Sequence, residues 1–201
     1  MESNSTNFAL QRVAEIVESS SVGFTANCYQ LYESPPLGAL VQTFGDYPTF
    51  AVVRGISTSP LDPTRKPVAR ARDEDSEEAV YRNNPQLSSL LRTDFEATII
   101  GHEFDGLLRK YLPPHPPKIH TFVYRCPEAT ISSFIENLDF LPILFSKASL
   151  VTDEIVGAFL RNAASVHADR QSFILSAGQQ LARLFHGDTK RLETLLRSLN
   201  A

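Results

Sequence analysis

Apolar positions follow two different periods along the chain, and the change falls at Pro127. Before it, apolar and polar residues alternate in short runs that Pro, Gly, Asp and Asn separate, which is typical of β-strands. The runs predict seven strands: 12–19, 23–32, 37–44, 49–57, 67–72, 95–103 and 118–126. Many short strands at roughly even spacing indicate a barrel or a sandwich.

The segment 73–92 interrupts this β-rich part. It is too long for a hairpin loop, and its charged start does not continue a strand. We interpret it as one or two short helices inserted between strands, with Asn83, Asn84 and Pro85 breaking them.

After Pro127, four apolar stripes with helical spacing predict about four helices. The stripes begin at Ile131, Ile155, Phe173 and Leu192. Thr152 or Asp153 suits the cap of the second helix, while Gly187 and Asp188 suit the turn before the last one. Such short amphipathic helices must pack together or against the strands.

These patterns predict an α+β fold with two parts: a small closed β-barrel domain at 10–127, with its helical insertion, and a helical domain at 128–201. No flexible linker separates the parts, which favours rigid attachment.

The composition and net charge limit the binding partners and the cellular compartment that we expect for the protein. The 201 residues carry a net charge of −4, so a global attraction to nucleic acid or anionic lipid is not expected. Two cysteines, Cys28 and Cys126, are too few for a disulfide scaffold and fit a reducing compartment. We see no signal peptide, and the apolar run FLPILF is much shorter than the ~20 residues of a membrane span. The prediction is a cytoplasmic protein without membrane contact.

Motifs for catalysis are missing. The chain has no phosphate-binding loop of the form GxxxxGK[ST], no GxGxxG and no GxSxG. We therefore predict neither an enzymatic activity nor a cofactor.

Histidines and cysteines cluster around the proline-rich stretch 111–127. His115, His120 and Cys126 resemble a metal site, to which His102 and Glu103 could add ligands. If 118–126 is one strand, however, His120 and Cys126 lie roughly 20 Å apart, too far for one ion. We predict no metal site. A thiol enzyme based on Cys126 with His120 or His102 stays open as a third hypothesis, because a helix start can lower a thiol pKa.

A basic segment precedes the insertion. Arg65, Lys66, Arg70 and Arg72 are candidate contacts to phosphate or to an acidic partner. The alternative is a charged exterior that the neighbouring acids at 73–78 balance. The alternation places Arg70 and Arg72 on one face of the predicted strand 67–72.

Several stretches of the β-rich part resemble the HerA–ATP synthase barrel family. The sequence RVAEIVESSSVGFTANCYQL is similar to the opening hairpin, and the Leu-Gly of PPLGALVQTF to the family's Leu-Gly before a strand. TFAVVRGISTSP is similar to a further strand, and LPPHPPKIHTFVYRCPEAT to the approach to the last one. The likeness covers about 10–127. It implies a small closed, non-catalytic barrel that packs edge to edge with neighbouring barrels and sometimes docks a partner.

The chain departs from that family after residue 127, where helices follow and no ATPase core does. ATP hydrolysis is therefore not carried over. We expect an assembly or adaptor module that self-associates or docks a protein. The second hypothesis is a nucleic-acid-associated factor, in a DNA processing or repair context, that uses the basic segment.

Overall fold

The computed structural model describes residues 10–64, 67–146 and 150–199. The fold is α+β, with one antiparallel sheet of seven strands and seven helices in this part of the chain. The strands are β1 Arg12–Ser19, β2 Gly23–Cys28, β3 Leu40–Thr43, β4 Thr49–Pro60, β5 Leu91–Phe104, β6 Leu107–Arg109 and β7 Phe122–Arg125.

Two helices lie between β4 and β5, and five follow the last strand. The helices are α1 Glu77–Asn83, α2 Leu87–Leu90, α3 Glu128–Phe134, α4 Leu141–Leu144, α5 Leu150–Val166, α6 Arg170–Leu184 and α7 Thr189–Leu199. The expected number of C-terminal helices was about four, and the single turn α4 is the addition. Among the described residues, no helix is long and apolar enough to cross a membrane.

The strand pairings run in a cycle. Along the sheet the order is β2-β1-β7-β3-β4-β5-β6, and β2 also pairs with β5. Six strands thus have a partner on each side. Among the strands described, only the three-residue β6 has a single partner, so little unpaired edge is left for aggregation.

Apolar side chains form two cores on opposite faces of the strands. The inner core holds alternate residues of the strands, including Phe24, Val41, Val53, Phe95 and Val123. The outer core joins the other face of β3, β4 and β5 to helices α3–α7. Because β3 is covered on both faces, all four of its residues are buried, and it loses the alternation in exposure of a half-exposed strand.

Gly38 is the point of closest approach between the strands and α5. Its backbone has φ +74°, and a Cβ there would lie 2.4 Å from the backbone nitrogen of Phe159 and 2.8 Å from the Cβ of Ala158. The amide of Gly38 donates to the carbonyl of Val53 at 2.8 Å. Only glycine meets both demands, because it tolerates the left-handed backbone and adds no side chain.

The predicted strand 67–72 is wrong. Residues 67–72 form no strand, and Val68 is 75% exposed. A strand needs a neighbour for its N–H and C=O groups, and the cycle of pairings is complete without this segment. Pro67 also supplies no N–H.

Other boundaries differ as well. The strand expected at 12–19 is present with those bounds. By contrast, the strands expected at 23–32, 37–44 and 118–126 are shorter, whereas those at 49–57 and 95–103 are longer. Strand β6 was not predicted; it pairs with the end of β5 across the Asp105–Gly106 turn, where both residues have positive φ.

The caps of the C-terminal helices are partly as expected. Gly187 has φ +95°, and the carboxylate of Asp188 accepts from the amide of Arg191 at 3.1 Å. Both residues therefore have the roles predicted for the turn before the last helix. Thr152 and Asp153 are not caps, because both lie inside α5. Asp153 instead accepts from Arg191 through both carboxylate oxygens, at 2.6 and 2.8 Å, which ties α5 to α7.

Candidate docking surface

The basic segment does not form the site that its spacing predicted. Arg65 and Lys66 lie outside the described residues. Arg70 and Arg72 are exposed and belong to no strand, so they share no strand face. Arg70 donates to the side-chain oxygen of Asn84 at 3.1 Å, which fastens the segment to the end of α1.

The histidines are distributed among separate environments. Nδ1 of the buried His102 donates to the carbonyl of Tyr111 at 3.1 Å, and the His115 ring packs 5.8 Å from that of Tyr47. His120 has φ +69° and precedes β7, so the expected strand shared with Cys126 is shorter than predicted. Its Nδ1 lies 2.5 Å from a carboxylate oxygen of Glu15. In the described residues, no three His, Cys, Asp or Glu side chains are placed to hold a metal ion.

Both thiols are buried, Cys28 in the inner core and Cys126 in the outer one. Burial raises the pKa of Cys28 to about 11, and the nearby Asp94 carboxylate adds to the increase. Burial likewise raises the pKa of Cys126. The start of α3 therefore does not give Cys126 the lowered thiol pKa that the third hypothesis needs.

A surface cavity of about 590 Å³ lies between β2, β4 and β5 on one side and α4 and α5 on the other. Two serines of its wall donate their hydroxyls to backbone carbonyls: Ser19 to Pro117 at 2.6 Å and Ser20 to Gly23 at 2.8 Å. Arg54 and Glu96 pair with each other at 2.7 Å. These contacts place neither serine against a general base.

Four aromatic rings and one arginine meet on the side of β7 opposite the inner-core residue Val123. We call this surface the aromatic face, and it consists of Arg12, Tyr29, Phe44, Phe122 and Tyr124. Phe122 and Tyr124 alternate on β7 with Val123, which is fully buried inside. Antiparallel pairing sets Arg12 of β1 and Gln42 of β3 opposite Tyr124, so β7 stands between the other contributors.

Ring contacts order the aromatic face. The Arg12 guanidinium lies 4.9 Å from the centre of the Tyr29 ring and 4.5 Å from that of Phe122. Phe44 and Tyr124 meet edge to face at 5.1 Å. The rings nevertheless stay open to solvent, with Tyr29 and Phe44 each 45% exposed and Phe122 40% exposed.

Charge on this surface is partly unpaired. Glu15 is engaged by His120, and Asp46, near Phe44, pairs with Lys118 at 2.8 Å. Arg12 has no carboxylate partner in the described chain, and neither does Arg125, which donates weakly to the carbonyl of Ser34 at 3.5 Å. Both arginines lie at the same end of the β1–β7 pair, because the Arg125 amide donates to the carbonyl of Gln11.

A small cavity of about 260 Å³ borders the aromatic face at Phe44. Its walls include Tyr47, His115, Pro116 and Pro117, and the Asp46–Lys118 ion pair lies at its rim. The volume is below the roughly 300–1,000 Å³ of usual ligand pockets. A niche of this kind suits a single side chain of a bound partner better than a cofactor.

Sequence reasoning missed the aromatic face. One signal was available: Phe122 and Tyr124 occupy the face of a predicted strand opposite Val123, where exposed positions are usually polar. The positions of Arg12, Tyr29 and Phe44 beside them depend on which strands pair. No protein-family model matches the chain, and no curated protein matches it.

Proposed function

We propose that this protein is a non-enzymatic docking module that binds a protein segment on the aromatic face. The observation that carries the proposal is Arg12, whose guanidinium lies against two exposed rings and has no carboxylate partner in the described chain. Tyr, Phe and Arg are the residues enriched in protein interfaces, where large rigid side chains give contact area at low entropic cost.

The chemistry of the face defines the partner. Exposed rings favour an apolar or aromatic side chain, which can enter the niche beside Phe44. The unpaired cations Arg12 and Arg125 favour carboxylates at the other end of the surface. The expected ligand is therefore an acidic segment that carries an aromatic or aliphatic anchor.

Single-stranded nucleic acid is the competing occupant, since aromatic rings and arginines also bind bases and phosphates. Two features favour protein. The surface also carries the carboxylates of Glu15 and Asp46, and the whole chain has a net charge of −4. A nucleic-acid groove normally presents a dominant positive charge.

The proposal includes the fold of the strands. They form a small closed barrel of the HerA–ATP synthase type, which is the scaffold of the aromatic face. The pairing of β2 with both β1 and β5 supports it, as does the separate inner core. Backbone nuclear Overhauser contacts between β2 and β5 in solution would test closure, and their absence would contradict it.

The test of function is selection from a random peptide library displayed on phage. We expect selected peptides to be rich in Asp and Glu and to share one apolar residue. The substitution Arg12→Glu should weaken their binding by about tenfold or more, since it replaces an attraction by a repulsion and removes both ring contacts. Phe122→Ala should weaken it as well.

Leu175→Ala is the matched control, because Leu175 is 64% exposed on α6, outside the aromatic face. It should leave binding unchanged. Selected peptides that bind the two face variants as well as the natural chain would refute the site. Binding of an oligonucleotide instead, with affinity that falls steeply with salt, would replace the proposed function by the nucleic-acid one.

A further inference from the structure

The insertion between β4 and β5 presents a charge pattern complementary to the aromatic face. Five carboxylates lie at its start, and we call them the acidic run: Asp73, Glu74, Asp75, Glu77 and Glu78. No ion pair joins any of them to a cation in the described chain. Two of the five accept from uncharged side chains: Glu74 accepts from Asn83 at 2.7 Å, and Glu78 accepts from the Ser76 hydroxyl.

The long β4–β5 hairpin carries the acidic run. Pairing continues to Pro60 and Leu91, and the insertion follows at that end. Tyr81 of α1 packs on Tyr32, with ring centres 6.1 Å apart, which holds the insertion against the loop after β2. The same loop begins with Tyr29 of the aromatic face.

The acidic run therefore lies on one surface, and Arg12 and Arg125 lie on another. Both surfaces border the loop after β2. Within the chain, they form no ion pair with each other. Neither set of charges is paired in the described chain: Arg12 and Arg125 make no ion pair, and no carboxylate of the run makes one. Val68, 75% exposed, precedes the run and supplies an aliphatic anchor of the kind that the proposed ligand requires.

We propose that the occupant of the aromatic face is a second copy of this chain, which contributes its acidic run. This inference rests on the proposed function and names its partner. Opposite charges then steer the encounter and set the register, while rings supply the buried apolar contact. Both surfaces are present on every copy, so the contact supports a closed dimer or a head-to-tail array.

Sedimentation velocity of the full chain tests the inference. At about 0.05 M salt the natural chain should associate as its concentration rises. Raising the salt to about 0.5 M should weaken association by about tenfold, because the Debye length falls to a few ångströms.

Two charge-reversed variants then locate the contact. The face variant carries Arg12→Glu and Arg125→Glu, and the run variant carries Asp73→Lys, Asp75→Lys and Glu77→Lys. Each should remain a single chain when alone. A mixture of them should form a complex of one copy of each reversed chain, because opposite reversed surfaces attract again.

Lys190→Glu serves as a control, since it reverses an exposed charge on α7 and should leave association unchanged. A natural chain that stays single at about 0.5 mM and low salt overturns the inference, yet leaves the peptide result of the proposed function standing. Association that survives both reversals, or a mixture that stays unassociated, also overturns it.

Discussion

Replacing Gly38 with alanine should loosen the attachment of the helices to the sheet. The new methyl group would lie 2.4 Å from the nitrogen of Phe159 and 2.6 Å from the carbonyl carbon of Ala158, both backbone atoms that cannot rotate away. The left-handed backbone at φ +74° costs about 1–2 kcal/mol for a residue with a Cβ. Overpacking adds about 1–3 kcal/mol.

The expected loss is thus about 2–5 kcal/mol in the free energy of unfolding, a large share of the ~5–15 kcal/mol of a typical domain. Urea unfolding followed by circular dichroism measures it. Because α5 must shift, we also expect faster hydrogen exchange in the amides around Phe159 than in those of the inner core.

Gly106→Ala is the matched control. Gly106 has φ +71°, nearly the value of Gly38, but an added Cβ meets nothing within 4 Å. Gly106→Ala should therefore lower the free energy of unfolding by the backbone cost alone, about 1–2 kcal/mol. If Gly38→Ala costs no more than Gly106→Ala, the close packing of α5 on this turn is refuted.

Three further predictions concern the described contacts. Asp153→Asn should destabilise the chain by about 1–3 kcal/mol in urea unfolding, because it weakens the bidentate pair with Arg191; an unchanged midpoint would show that the pair contributes nothing. Asp188→Ala should cost about 1 kcal/mol through the lost cap of α7, and Asp188→Asn should restore most of it. The pKa of Cys28 is raised from 9.0 to about 11, so the folded state keeps its proton longer than the unfolded state. The free energy of unfolding should therefore fall as pH rises from about 9 to about 11, and Cys28→Ala should remove that part of the slope; equal slopes would contradict the assignment.

Local patterns predicted elements well where one face of a strand or helix is buried and the other exposed. The strand β1 has the predicted bounds, since its alternation reflects an inner core on one side. The turn at Gly187 and Asp188 was also predictable, because it depends on neighbouring residues alone. The prediction failed for 67–72, where apolar and charged residues alternate but the segment has no neighbouring strand to pair with.

The residues of the candidate site were less predictable than the secondary-structure elements. Arg70 and Arg72 stood out because they lie close together in sequence, yet they form no common strand face. The aromatic face was hidden because its members come from β1, β7 and the segments after β2 and β3. Their contacts depend on a pairing order in which the last strand lies between the first and third.

The amino-acid sequence by itself determined the α+β class, the change of period at Pro127, the insertion within 73–92 and the local turn chemistry. Each of these follows from interactions between residues a few positions apart. Tertiary structure alone decided that β2 pairs with β5, that α5 packs on Gly38 and that Arg12 lies between Tyr29 and Phe122. Those contacts join residues distant along the chain, and their free energies depend on which surfaces meet, which no local pattern encodes.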